Sequence, residues 1–149
     1  MTVPPEGNSL SLRKYFLGES LYEGNTMKIA IDIDNTITAS KNSVEFFRML
    51  TTLCISKHQI IIISNRDEAD RETTEEELDV LGIRYNKLIL TADKAEYILK
   101  HGIEFVFEDT DEYFLELPET ITVFKIRESG NFCFSEHKWI GSPKTTKMI

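Results

Sequence analysis

Ile29-Ala30-Ile31-Asp32-Ile33-Asp34-Asn35-Thr36 is the stretch on which the reading of this 149-residue chain turns. Met27 to Ile33 places apolar residues on both sides of Asp32, as a strand covered on both faces requires. Asp32 and Asp34 are two residues apart, so extended backbone points them the same way. Carboxylates converging at a strand end repel each other, and burying them without a partner is costly. A hard dication offsets that cost. Mg²⁺ suits a site of one or two carboxylates, several waters and a substrate phosphate. On residue types alone, the same pair also suits a plain turn after a strand.

The composition allows a packed core. Hydrophobic residues make up 41% of the chain and charged residues 28%, which argues against disorder and fits one domain of ordinary size. A formal net charge of -8 argues against non-specific attraction to nucleic acid or acidic membranes. It leaves open a small phosphorylated substrate held at a local metal site. Cys54 and Cys133 stand among apolar neighbours without ligand spacing and read as core thiols. The aliphatic run Ile60 to Ile63 is far too short to span a bilayer, and no signal-peptide pattern opens the chain. The expectation is a soluble cytoplasmic protein.

Residues 1–26 carry Pro4, Pro5, Gly7, Gly18 and Gly24 with little periodicity, and read as a poorly ordered leader. Met27 could itself be a native start. Residues 27–140 hold the domain, and 141–149 read as a flexible tail. Within the domain, Ser40 or Asn42 can cap a helix running from about Ser43 to Ser56. Val44, Phe47, Leu50 and Cys54 share its apolar face, widened by Phe46, Met49 and Leu53. Gln59 to Ile63 is a second buried strand, ending in the polar loop Ser64-Asn65-Arg66-Asp67. The acidic segment from about Asp70 to Leu81 predicts a helix with Leu78 and Leu81 inward and its Thr73-to-Glu77 run mostly toward solvent. Gly82-Ile83 ends it as a glycine C-cap.

Tyr85 to Leu90 reads as a third strand. Asp93 opens a helix with Glu96 in capping-box position. Glu104 to Phe107 is a fourth strand, ending in Glu108-Asp109-Thr110-Asp111. A short turn or helix, stopped by Pro118, leads to a fifth strand over Thr120 to Ile126. Phe132-Cys133-Phe134 and Trp139 suggest an edge ribbon or cover. Strands alternating with helices predict an open parallel α/β sheet of about five strands, Rossmann-like, with helices on both faces. Ligands bind beyond the carboxyl ends of such strands. The polar clusters fall on that edge: Asp32 and Asp34, Ser64 and Asn65, Lys94, and Glu108 and Asp109.

These motifs, over about Met27 to Ile126, resemble the haloacid dehalogenase superfamily of phosphatases and phosphotransferases. Asp32-Ile33-Asp34-Asn35-Thr36 matches its first motif. Ile60 to Ser64 matches the second, Lys94 the third, and Glu108-Asp109 the fourth. Their order and the Leu81-Gly82-Ile83-Arg84-Tyr85 stretch are also similar to the deoxyribonucleotidase-like branch, which more often has Asp where Glu108 stands. The resemblance implies an aspartyl-phosphate formed on Asp32, with Asp34 as general acid and then base. It implies Mg²⁺ held by the Asp32 carboxylate, the Asp34 backbone carbonyl and Asp109. Ser64, Asn65 backbone N–H groups and Lys94 would hold the phosphoryl oxygens. Lys87 and Lys100 are rivals to Lys94, whose helix-start position favours it. Asn35 and Thr36 shape the turn. Arg66 reads either as a substrate contact or as a solvated loop residue. His58, His101 and His137 show no metal spacing.

Neither Thr36 to the second strand nor Ser64 to Lys94 is long enough to hold an inserted cap domain. An open site excludes water poorly. It implies a large phosphorylated substrate, a partner chain that closes the site, or loose specificity. The alternative function is a non-catalytic relative that binds a phosphate ligand or a protein partner. The second aspartate speaks against that alternative. A calcium loop of EF-hand type fails for want of the required Gly and distal Glu.

Overall fold

In a computed structural model of the protein, residues 26–113 and 115–141 are described. The leader and tail read from the sequence lie outside them, apart from Thr26 and Gly141. Five parallel strands form the central sheet: β1 (Lys28–Ile31), β2 (Gln59–Ser64), β3 (Lys87–Leu90), β4 (Phe105–Glu108) and β5 (Thr122–Lys125). Their spatial order is β3-β2-β1-β4-β5, with β1 in the middle. Ile31 stands opposite Ile62 of β2 and Phe107 of β4. The helices are α1 (Lys41–Cys54), α2 (Arg71–Leu81) and α3 (Lys94–Lys100). This is the Rossmann-like open sheet expected, with no cap domain between the elements. No helix among the described residues is long and apolar enough to cross a membrane.

Strand periodicity divides the core between two faces. Ile29, Ile31, Ile60, Ile62 and Leu88 pack with Phe47 of α1 and Leu78 of α2 on one side. Ala30, Ile61, Ile63 and Val106 pack with Ile98 of α3 and Ile103 on the other. A strand covered on both faces cannot alternate, which is why Ile60 to Ile63 is one unbroken aliphatic run. Ser40, rather than Asn42, caps α1: its Oγ accepts from the Ser43 N–H at 3.0 Å. Asp93 caps α3 by accepting from the Glu96 N–H at 3.0 Å.

Three details depart from the sequence reading. Phe46, Met49 and Leu53 do not widen the buried face of α1; they are 44%, 54% and 70% exposed, and buried Thr51 takes the inward place beside Phe47. The Thr51 hydroxyl meets its hydrogen-bond needs by donating to the Phe47 carbonyl and accepting from the Arg84 N–H. Thr74, read as solvent-facing, is fully buried on α2. Cys133 is no core thiol. It is half-buried on the antiparallel ribbon of β6 (Phe132–Cys133) and β7 (Lys138–Trp139), where its Sγ meets the Ser135 hydroxyl at 3.3 Å.

Gly82 closes α2 with φ +72°, and the Ile83 N–H reaches back to the Leu78 carbonyl at 3.0 Å. A Cβ here would sit 3.0 Å from Arg48 Nε, which donates to the Leu81 carbonyl at 2.9 Å. Gly102 has a similar φ of +64° but open space around it. Gly82→Ala is therefore expected to cost more than Gly102→Ala. The backbone alone costs each about 1–2 kcal/mol, and the crowding of Arg48 adds to the first. Urea unfolding of the two variants measures the difference.

Candidate functional site

The geometry follows from the middle of the sheet. β1 and β4 are neighbours, so the residues that follow them meet at the carboxyl edge. The Asp32 N–H still donates to the Phe107 carbonyl at 3.1 Å, which pins Asp32 to β4. Lys94 is the first residue of α3 and reaches the same point. Its Nζ lies 2.5 Å from Asp32 Oδ1 and 2.8 Å from Glu108 Oε2. All three side chains are sealed, at 2%, 5% and 1% exposure for Lys94, Asp32 and Glu108. Tyr113 lies against the ammonium, with its ring centre 4.3 Å from Nζ.

Glu108 has both oxygens engaged. Oε2 accepts from Lys94, and Oε1 accepts from the backbone N–H groups of Asp109 and Thr110 at 3.0 and 3.2 Å. Asp109 is buried, and its Oδ1 accepts from the Thr36 hydroxyl at 3.3 Å. Burial pushes the Asp32 carboxyl up to about 6 against the pull of Lys94. Burial, reinforced by the charge of Asp32, pushes Glu108 up to about 8. Burial alone would lower the Lys94 ammonium, but Asp32 and Glu108 outweigh it and hold it above its usual value.

Asp32, Glu108 and Asp109 each bring one oxygen within 4.8 Å of the others. Asp32 and Glu108 share the Lys94 ammonium, and the charge of Lys125 also acts on Asp109 and Glu108. Three buried groups that bring only oxygen ligands to one point fit a hard divalent cation. The cleft above them encloses about 240 Å³ and is lined also by Asp34, Asn35, Asn65, Thr110 and Tyr113.

Asp34 behaves differently from Asp32. Its side chain is 58% exposed, and both its oxygens accept from Arg66, at 3.0 Å from Nε and 2.7 Å from Nη2. These hydrogen bonds from Arg66 hold its carboxyl below the usual range. Arg66, read as either a substrate contact or a solvated loop residue, pairs instead with Asp34 and, across α2, with Glu77. Ser64 ends β2 and is buried; it is not among the residues that line the cleft. Its hydroxyl has no hydrogen-bond partner among the described residues. Asn65 lines the cleft and donates to the Tyr113 hydroxyl at 2.8 Å. Asn35 takes φ +58° in the turn after Asp34.

Sequence reasoning missed two supporting residues. Tyr113 gives no signal beyond its place after an acidic loop. Asn131, given no role from the sequence, is buried, and its Nδ2 donates to the carbonyls of Asp109 and Ile126. It ties the ribbon to the Asp109 loop.

The fold and this edge define an open α/β protein with an acidic, lysine-bearing cleft. No family model matches the chain, and no curated protein matches it. It is similar in fold to a solved chain described as "Structure of Pnkp1/Rnl/Hen1 complex", at 16% identity and a TM-score of 0.53. The match covers 73% of this chain and 50% of that one, so this chain spans about half the length of the solved chain it matches.

Two outcomes follow from the charge balance. Lys94→Met leaves Asp32 and Glu108 buried without their cation and is expected to destabilise the fold by about 3–5 kcal/mol, read by urea unfolding. The raised carboxyls of Asp32 and Glu108 give the metal-free protein stability that is full below their unfolded values and is lost as pH rises through about 6 and 8. Its melting temperature is therefore expected to fall between pH 5 and pH 8, each an approximate end of that window. Added Mg²⁺ should restore more of it at the upper end, since the ion replaces those protons.

Proposed function

We propose that the protein is a Mg²⁺-dependent phosphohydrolase of phosphoric monoesters that works through an aspartyl-phosphate on Asp32. The observation that carries this reading is the buried Asp32 carboxylate at the end of the central strand, gripped by Lys94 at 2.5 Å beside Asp109. Because Lys94 engages Oδ1, attack on phosphorus falls to Oδ2. The bond from phosphorus to the leaving oxygen breaks, and Asp34 protonates that oxygen. Asp34 then takes a proton from the water that attacks the aspartyl-phosphate, which regenerates Asp32. Lys94, the Ser64 hydroxyl and the Asn65 N–H would hold phosphoryl oxygens as charge spreads over them. The Ser64 hydroxyl is buried outside the cleft lining and would have to be uncovered to reach a phosphoryl group; it has no partner among the described residues, and an unmet polar group costs about 1–3 kcal/mol.

Asp32, Asp109 and the Asp34 backbone carbonyl would hold the Mg²⁺. Bound there, the ion would neutralise charge between the carboxylate and the phosphoryl group. With both oxygens engaged, Glu108 is assigned to fixing Lys94 rather than to the metal. The capless cleft suits a phosphate on a large molecule or at a nucleotide's edge, as in a nucleotidase-like enzyme, with a partner chain as an alternative means of closure. The working compartment on this reading is the cytoplasm. A second reading is a non-catalytic protein that binds a phosphate ligand or a partner. It is favoured by one observation, the occupation of both Asp34 oxygens by Arg66.

Hydrolysis of an aryl phosphate with Mg²⁺ separates the two. Asp32→Asn, nearly isosteric, is expected to lose about 10³-fold or more in kcat. Equal residual rates in wild type and variant would favour the binding protein. A panel of nucleoside monophosphates, sugar phosphates and phosphopeptides then places the substrate.

A further inference from the structure

We infer that Arg66 is the positioning residue for Asp34, the strut that aims its carboxyl group at the leaving oxygen. This rests on the assignment of Asp34 as general acid and base. Asp34 stands in the turn after β1, and its exposed side chain has little packing to fix it. Arg66 supplies what packing does not. Its Nε and Nη2 take one oxygen each, a two-point contact that fixes the carboxylate plane as well as its place.

The guanidinium is itself anchored from behind. Its Nη1 donates to Glu77 Oε2 at 2.6 Å and to the Thr74 hydroxyl at 3.2 Å. Thr74 is fully buried and Arg66 only 21% exposed, so the strut stands on the core face of α2. It thus ties the turn after the central strand to a helix on the sheet's flank. A residue free to meet substrate phosphate would not be committed at every N–H-bearing nitrogen to protein acceptors. Arg66 is so committed: Nε, Nη1 and Nη2 all donate to side chains.

The arrangement still permits proton transfer. Each carboxylate oxygen offers two lone-pair sites, and Arg66 uses one on each. The others remain for the proton that goes to the leaving oxygen and for the proton later drawn from water. Arg66 keeps its own proton throughout. Placement of this kind matters because small errors in aim at a reacting atom are costly in rate.

The test is the dependence of kcat/KM on leaving group, since kcat/KM reports the first phosphoryl transfer. Dinitrophenyl phosphate leaves without a proton; an alkyl phosphate needs one. Arg66→Gln is expected to lose about 100-fold on the alkyl ester and under about 5-fold on the dinitrophenyl ester. Asp34→Asn should show the same split, and the double variant little more than either. Arg66→Lys, a point charge without the fork, should remain impaired on the alkyl ester. Glu77→Gln, which keeps the Asp34 pair but loosens its anchor, should show a weaker form of the split and serves if Arg66 variants fail to fold. Equal losses on both esters with a raised KM would make Arg66 a phosphate contact and overturn the inference, while leaving the phosphohydrolase standing. A wild type inactive on both esters would remove the phosphohydrolase reading and this inference with it.

Discussion

The ammonium of Lys94, clasped in the interior between Asp32 and Glu108, is the contact on which this molecule depends. Charges removed from water persist only if partners stand at bonding distance. That requirement fixes three parts of the chain at once: the end of β1, the end of β4 and the first turn of α3. None can slide by a residue without leaving a charge unpaired. The same edge gathers a third buried carboxylate, Asp109, beside Asp32 and Glu108. Packing, register and chemistry therefore meet at one point. A hydrophobic replacement of similar volume would satisfy the core, but it would leave nothing to face an anion.

The fold was legible because burial on two faces leaves a simple mark. Unbroken β-branched runs such as Ile60 to Ile63 have no other common use in a chain with glycine-closed helices between them. Helix faces were harder to read. Phe46, Met49 and Leu53 look like core residues by type, but the covered stripe of α1 is Phe47 and Thr51 with partly buried Val44, Leu50 and Cys54. Thr51 and Thr74 were hidden for the opposite reason. A threonine buries well once its hydroxyl finds an acceptor, and only the folded chain shows that acceptor.

The site divides along similar lines. Asp32, Lys94 and Asp109 were readable because topology alone brings strand ends and helix starts to one edge. Ser64 does end a strand on that edge, but its depth was not foreseen; it is buried and does not line the cleft. Arg66, Tyr113 and Asn131 could not be assigned from sequence, since each is defined by a partner distant along the chain: Asp34, Asn65 and Asp109. A local motif states what a residue can do. Its partners decide which of those things it does.

Asp32 and Asp34 show that division within a single turn. One is buried against an ammonium and pushed up; the other is exposed against a guanidinium and held down. On the proposed reading both shifts run against the roles, because the nucleophile must be ionised and the acid must carry a proton. The ligands resolve the conflict. A dication held beside Asp32 would favour its ionised form and oppose the effect of burial. A phosphoryl dianion beside Asp34 disfavours a second negative charge there and opposes Arg66. The free protein thus holds Asp32 above and Asp34 below the usual carboxyl range, and on the proposed reading a bound metal and phosphate would move each the other way.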